Sequence, residues 1–221
     1  IIICYSYIMR FVNEKHNSKQ HKRVWLNRLL LLLSVVFMAA GIYLLTLVLT
    51  PNIAAISPPK EIDVKALSEP TEDRIYIPKI GVDVPLSSVG AGALEKGAWH
   101  RYPERGDPEQ GGNFIVSAHR FSLGLTPGQT RTKSPFYHIN KLENGDQIIV
   151  DFNKKRYGYE FFSHKEVKPN DTSIEDKIDE DGEPRMTLYT CTFKGESDGR
   201  EVYFAKPLGE VVDGNVTMVE E

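Results

Sequence analysis

Hydrophobic and polar positions along this 221-residue chain fall into three regimes. Leu29 to Leu49 (LLLLLSVVFMAAGIYLLTLVL) runs 21 residues without a charge. At about 1.5 Å per residue, a helix of that length matches the roughly 30 Å hydrocarbon core of a bilayer. The run is longer than the apolar part of a secretory signal, and Pro51-Asn52-Ile53 lacks the small residues of a cleavage site. The pattern therefore predicts an uncleaved transmembrane helix over 29–49. From Pro51 to Arg74 the chain is Pro-bearing, charged and without periodicity, which predicts a linker over 50–73.

From Arg74 onward the period becomes two. Strands are expected at RIYIPKI, VDVPL, NFIVSA, DQIIVDF, KRYGYEFFSHKEV, MTLYTC and EVYFAKPL, separated by turn residues. In the fourth, Ile148, Val150 and Phe152 alternate with Gln147 and Asp151, as in a half-buried strand. Pro135–Asn140 and Thr172–Ile178 read as short helical turns, and no long amphipathic helix or internal repeat is present. Seven or more short strands in about 135 residues imply a closed β-barrel or a sandwich, and the pattern alone does not choose.

Charge adds orientation. Arg10, Lys15, Lys19, Lys22, Arg23 and Arg28 precede the apolar run against the single acid Glu14, so the positive-inside rule places residues 1–28 in the cytoplasm and the strand-rich part outside. Residues 1–8 precede Met9-Arg10, which resembles a natural start, and they are assigned no function. Residues 29–221 hold 21 basic and 29 acidic side chains, a net −8 against −3 for the whole chain. An acidic outer domain repels phosphate polymers and excludes nucleic acid as a partner.

Cys4 and Cys191 lie on opposite sides of the membrane in this topology and cannot pair within one molecule. Cys191 alone reads as a reactive group, an intermolecular bridge or a small buried hydrophobe. Alternation along MTLYTC puts Met186, Leu188 and Thr190 on one face and Thr187, Tyr189 and Cys191 on the other, so Leu188 enters the core while Cys191 faces out. After Cys191, TFKGESDG is loop chemistry for an antiparallel connection, with glycines at 195 and 199. If Cys191 and Arg200 pair across its mouth, a thiol and a guanidinium share one surface. A thiol is only ~3% ionised at pH 7 and needs a base or an electrostatic partner. His100 and His138 fall in turn-like segments and His164 within a strand. His119 directly follows the apolar strand NFIVSA, at a strand end where functional side chains are commonly displayed.

TLYTC (Thr187–Cys191), Arg200 opening the next strand, SAHR around His119, and RIYIPKIGVDVPL together resemble the sortase family of membrane-anchored cysteine transpeptidases. The resemblance covers about Arg74 to Leu208 and agrees with the N-terminal anchor. It implies a closed antiparallel eight-stranded β-barrel over 74–209, followed by a tail at 210–221. It also implies Cys191 as nucleophile, His119 as general acid and base, Arg200 as oxyanion stabiliser and Thr190 as a substrate-binding hydrogen-bonding group. In the family, a C-terminal LPxTG-like sorting motif of a secreted protein is cleaved between Thr and Gly, a thioester forms, and the acyl group passes to an amine acceptor such as a peptidoglycan precursor. The surface protein is thereby anchored to the cell envelope, and the enzyme resides in the plasma membrane as a single-pass protein.

Ala118 stands where many relatives carry glycine. An Asp-Pro-aromatic lid motif and a C-terminal second span are both missing, which argues against the pilin-polymerising class. The acidic run Asn170–Glu183 lies where relatives place a substrate-selecting loop, and some bind calcium there. It lacks EF-hand spacing and reads as a solvated loop, so no metal or other cofactor is expected. Two other classes compete: a membrane-anchored cysteine endopeptidase, opposed by the absence of a CGSCW-type context, and a non-enzymatic surface module bridged through Cys191.

Overall fold

The structure is a computed structural model that describes residues 2–53, 61–176, 182–212 and 215–217. Helix α1 (Ile2–Ile53) contains the apolar run. Its stretch Arg23–Leu49 is long and apolar enough to cross a membrane, and side chains such as Leu31 and Phe37 project outward, 68% and 73% exposed.

The strand-rich unit is built from β1 (Arg74–Ile77), β2 (Val82–Ser87), β3 (Ala98–Arg101), β4 (Gly106–Asp107), β5 (Gly111–Ser117), β6 (Gln147–Phe152), β7 (Lys155–Val167), β8 (Arg185–Thr192), β9 (Gly195–Val212) and β10 (Asn215–Thr217). A short helix α2 (Pro127–Thr132) lies between β5 and β6. Neighbours run β9-β7-β6-β1-β2-β3-β5, and β8 pairs with both β5 and β9. The path therefore returns to its start, closing an eight-stranded barrel with β4 and β10 as appendages, which is the expected fold. The closure is not purely antiparallel. The β2/β3 and β5/β8 pairs are parallel, because each is joined by a crossover and not by a hairpin.

Alternation decides which side chains fill the barrel. Val82, Val84 and Leu86 of β2 are buried while Asp83 and Pro85 are exposed. With Phe114, Val116, Ile148, Val150, Met186, Leu188 and Tyr203 they form the main core. Burial of a large aliphatic or aromatic side chain stabilises by roughly 1.5–3 kcal/mol, so this interior supplies most of the favourable free energy. Two smaller clusters cover the outside. One joins Ile115, Tyr189, Val202 and Phe204 to Ile174.

The other packs Ile62, Val64 and Leu67 onto Tyr76, Ile149 and Val211. Residues 61–68, expected as linker, thus dock on the barrel. A turn capped by Asp63 shapes them, and Arg156 donates to the Ser68 carbonyl at 2.8 Å. The expected tail after residue 209 likewise continues β9 to Val212 and returns as β10, with Asn215 opposite Val212.

Candidate active site

Strand β8 delivers Cys191 as its alternation requires. Met186 and Leu188 point into the core, whereas Tyr189 joins the outer cluster and Cys191, two residues on, emerges half-buried at the strand's end. Cys191 pairs with Arg200 in the β8/β9 ladder. On the other side, parallel strands β5 and β8 set Ser117 opposite Tyr189. β5 ends there and His119 follows two residues later, where the Thr190 hydroxyl, donating to the Ala118 carbonyl, holds the segment that carries His119 against the end of β8. His119, Cys191 and Arg200 thus form a row of three neighbouring segments, Cys191 and Arg200 paired across the ladder and His119 joined to them through Ala118 and Thr190.

The connection after Cys191 is tighter than the eight-residue loop expected. Thr192 pairs with Gly195 across Phe193-Lys194, and Glu196–Gly199 then bulge out of register before Arg200. Gly195 sits at φ 103°, a conformation that suits glycine. Arg200 Nη1 donates to the Glu196 carbonyl at 2.7 Å and the Gly199 carbonyl at 3.0 Å. The guanidinium is therefore braced by its own bulge. Burial pushes the Cys191 thiol above its ordinary pKa, Arg200 pulls it down, and Glu196 pushes it up again.

His119 Nε2 stands 3.4 Å from Glu95 Oε1, within ion-pair range but short of hydrogen-bond geometry. Glu95 is also held by Lys133 Nζ at 2.6 Å, and that lysine is the main cause that lowers the Glu95 pKa below the ordinary carboxylate value. Thr190 is buried, 3% exposed, and its hydroxyl donates to the Ala118 carbonyl at 2.8 Å. Its hydrogen ties β8 to the residue before His119. Three other histidines make different contacts. His100, expected in a turn, is buried in β3 and donates from Nε2 to the Gly106 carbonyl at 3.0 Å. His164 stacks on Tyr203 with ring centroids 5.5 Å apart, and His138 packs edge-on to Tyr137.

Ser173–Glu175, part of the acidic run expected to be solvated, forms a wall on the barrel's outer side, its Ile174 packed on Tyr189 and Val202, each two residues along from Cys191 and Arg200. Residues 177–181 of that run lie outside the described residues, but Glu175 is buried. Its carboxylate lies 3.5 Å from Arg101 and 3.8 Å from Arg105, and Arg105 also donates to its carbonyl. Asn113 donates to the carbonyls of Ile174 (3.0 Å) and Asp176 (2.6 Å). Among the described residues no cluster of three or more His, Cys, Asp or Glu could hold a metal ion. A cavity of about 670 Å³ near the other ends of β5 and β8, lined by Phe114, Tyr157, Tyr159 and Pro184, includes none of the row.

A closed eight-stranded barrel bearing a thiol, an imidazole and a guanidinium on adjacent strand ends is a barrel of the sortase kind. Residues 75–208 match the Sortase domain, and the chain belongs to the sortase family. It is 31% identical to sortase SrtE1 of Streptomyces coelicolor over 149 residues, 62% of this chain and 40% of that protein. The match thus spans less than half of the curated relative. Among solved structures, a sortase D5 transpeptidase of Clostridium perfringens is 27% identical with a TM-score of 0.51, covering 62% of this chain and 79% of that one. Sortase E1 from Streptomyces coelicolor, solved with a tripeptide in its active site, is 26% identical with a TM-score of 0.50, covering 65% of this chain and 93% of that one.

Proposed function

We propose that this chain is a cysteine transpeptidase that cuts an LPxTG-like sorting motif and transfers the acyl fragment to an amine, anchoring secreted proteins to the cell envelope. The observation that supports the reading is the Cys191–Arg200 pair beside the segment that carries His119. The Cys191 thiolate attacks the Thr carbonyl, and the developing oxyanion is stabilised by Arg200, a cation fixed in advance. Collapse breaks the Thr–Gly bond as His119 gives its proton to the leaving amine, forming a thioester. An incoming amine attacks that thioester, His119 takes the amine's proton, and Cys191 leaves as the thiolate, which restores the starting pair. A thioester suits this task because it is far more reactive toward amines than an ester. Thr190 acts by positioning, through its hydrogen bond to Ala118.

A single span at 29–49 with residues 1–28 in the cytoplasm would hold the catalytic part, 74–209, outside the plasma membrane, where sorting substrates and amine-bearing wall precursors reside. The test incubates the protein with sorting-motif peptides and candidate amines and reads products by mass. Transfer to the amine is expected, with a covalent intermediate that Cys191→Ala abolishes. An adduct surviving in that variant would identify another nucleophile. Hydrolysis alone in the presence of amines would assign an endopeptidase, and a reducible dimer without turnover would assign the bridged surface module.

A further inference from the structure

The catalytic row lies where regular pairing runs out. Strand β5 ends at Ser117, two residues before His119, and the β8/β9 ladder loses register immediately after Cys191 and Arg200. Backbone pairing alone therefore leaves His119 beyond the end of β5 and Cys191 at the last regular β8/β9 pair, with Arg200 held on its other side by Val167 of β7. One side chain spans all three segments. Arg120, next to His119 and only 3% exposed, places Nη1 2.8 Å from Glu201 Oε2, next to Arg200. Its guanidinium carbon also lies 4.1 Å from the ring centroid of Phe193, two residues past Cys191. The same Oε2 also accepts from the Tyr203 hydroxyl at 2.7 Å, and in the ladder Glu201 is opposite Thr190.

We propose that Arg120 is the positioning residue of the site, clamping the segments that carry His119, Cys191 and Arg200 through Glu201 and Phe193. This rests on the reading of the row as catalytic. A buried ion pair is a poor source of net stability, since desolvation offsets most of the attraction. Its contribution is direction: the charged contact and the face-on aromatic contact fix both the distance and the plane of the guanidinium. Arg120 also neutralises Glu201, which would otherwise leave an unpaired carboxylate beside Arg200.

The test uses the full-length chain in detergent micelles, with Arg120→Met, Arg120→Lys and the charge-free double variant Arg120→Met/Glu201→Leu. Each is measured for melting temperature, single-turnover acylation by a sorting-motif peptide, and KM. Misplacement of the reacting groups should slow acylation by ~10- to 100-fold in Arg120→Met with KM within about twofold. Arg120→Lys should recover part of the rate, because it restores the charge without the planar fork. The double variant removes the buried unpaired charge, so it should regain the melting temperature while acylation stays slow. If Arg120→Met does not fold, the double variant carries the same comparison. Acylation within about twofold of wild type in a folded Arg120→Met, or recovery of rate together with stability in the double variant, would overturn the positioning role. If the wild type forms no adduct with any peptide, the transpeptidase reading fails instead. Arg120 is then judged by iodoacetamide labelling of Cys191, read by peptide mass. With the clamp gone the half-buried thiol should be exposed more often, so labelling should speed up by ~3- to 10-fold in Arg120→Met, and unchanged labelling would refute the proposal.

Discussion

Asn113→Ala should loosen the wall of the site without dissolving the barrel. The Asn113 side chain is fully buried and makes three hydrogen bonds: its amide donates to Ile174 and Asp176, and its oxygen accepts from Thr187 at 2.6 Å. Each is worth about 1–1.5 kcal/mol net, and a buried group left without a partner costs about 1–3 kcal/mol. The wall also buries Ile174, about 1.5–3 kcal/mol, against an ordering cost of about 1–2 kcal/mol per residue for the short turn that carries it. Docking is thus marginal, and losing the two bonds to the turn removes about 2–3 kcal/mol from it. The carbonyls of Ile174 and Asp176 can recover water by peeling away, which limits the global damage to the stranded Thr187 hydroxyl. Amide exchange at Glu175, held to the Thr172 carbonyl at 2.9 Å, should therefore accelerate. The expected factor is ~30- to 150-fold, while exchange in β6 and β7 changes little and the melting temperature falls by only a few degrees. KM for a sorting peptide should rise more than kcat falls. Unchanged exchange at Glu175, or an equal acceleration throughout the barrel, would refute the latch.

Substitution of His119 by Ala should cost at least ~100-fold in rate, whereas His138→Ala and His164→Ala should do far less; equal loss in either folded variant would reassign the base. Turnover in Arg200→Ala should fall by ~10²- to 10³-fold with partial return in Arg200→Lys, and normal single-turnover acylation in folded Arg200→Ala would exclude oxyanion stabilisation. Because burial and Glu196 both raise the Cys191 pKa, alkylation should climb with pH beyond the ordinary thiol range. Glu196→Gln should shift that curve down and Arg200→Ala should shift it up, and a curve moved by neither would remove both as influences on the thiol. Burial holds His100 below its usual pKa. Its neutral form therefore supports stability fully above about pH 6.5, and the contribution is lost as pH falls from there through the lower folded-state value. Denaturant midpoints against pH should show a steeper fall below 6.5 in wild type than in His100→Gln, and identical slopes would place the acid lability elsewhere.

The strands that were legible in the sequence are those whose two faces differ. β2 and β7 could be read within a residue or so, because one face is apolar and the other polar. The His119 position was legible as the first polar residue past a buried strand, and the Cys191–Arg200 pairing followed from strand alternation and the glycines between them. β3 was missed because Ala98–Arg101 is only four residues long and its buried His100 looks polar. Thr126, whose hydroxyl accepts from Gln129 N, followed by Pro127 at the first helical position, was the available signal for α2. Asp213-Gly214 between Val212 and Asn215 was the available signal for β10. Glu175 and Arg120 could not be recognised in advance. Each is a buried charge whose partner lies about 70 to 80 residues away, so no local pattern marks it.

The parallel seam between β5 and β8, from Asn113 opposite Arg185 to Ser117 opposite Tyr189, joins segments separated by 72 residues of chain. The β6/β7 and β8/β9 hairpins are local and carry little loop-closure entropy, whereas this seam must wait for a long loop to close and is expected among the last contacts made. Until it forms, His119 has no reason to be near the thiol. On the proposed reading barrel closure is thus itself the activating event: before the seam forms Cys191 stands apart from His119, and acyl-transfer competence would arrive with the completed ring.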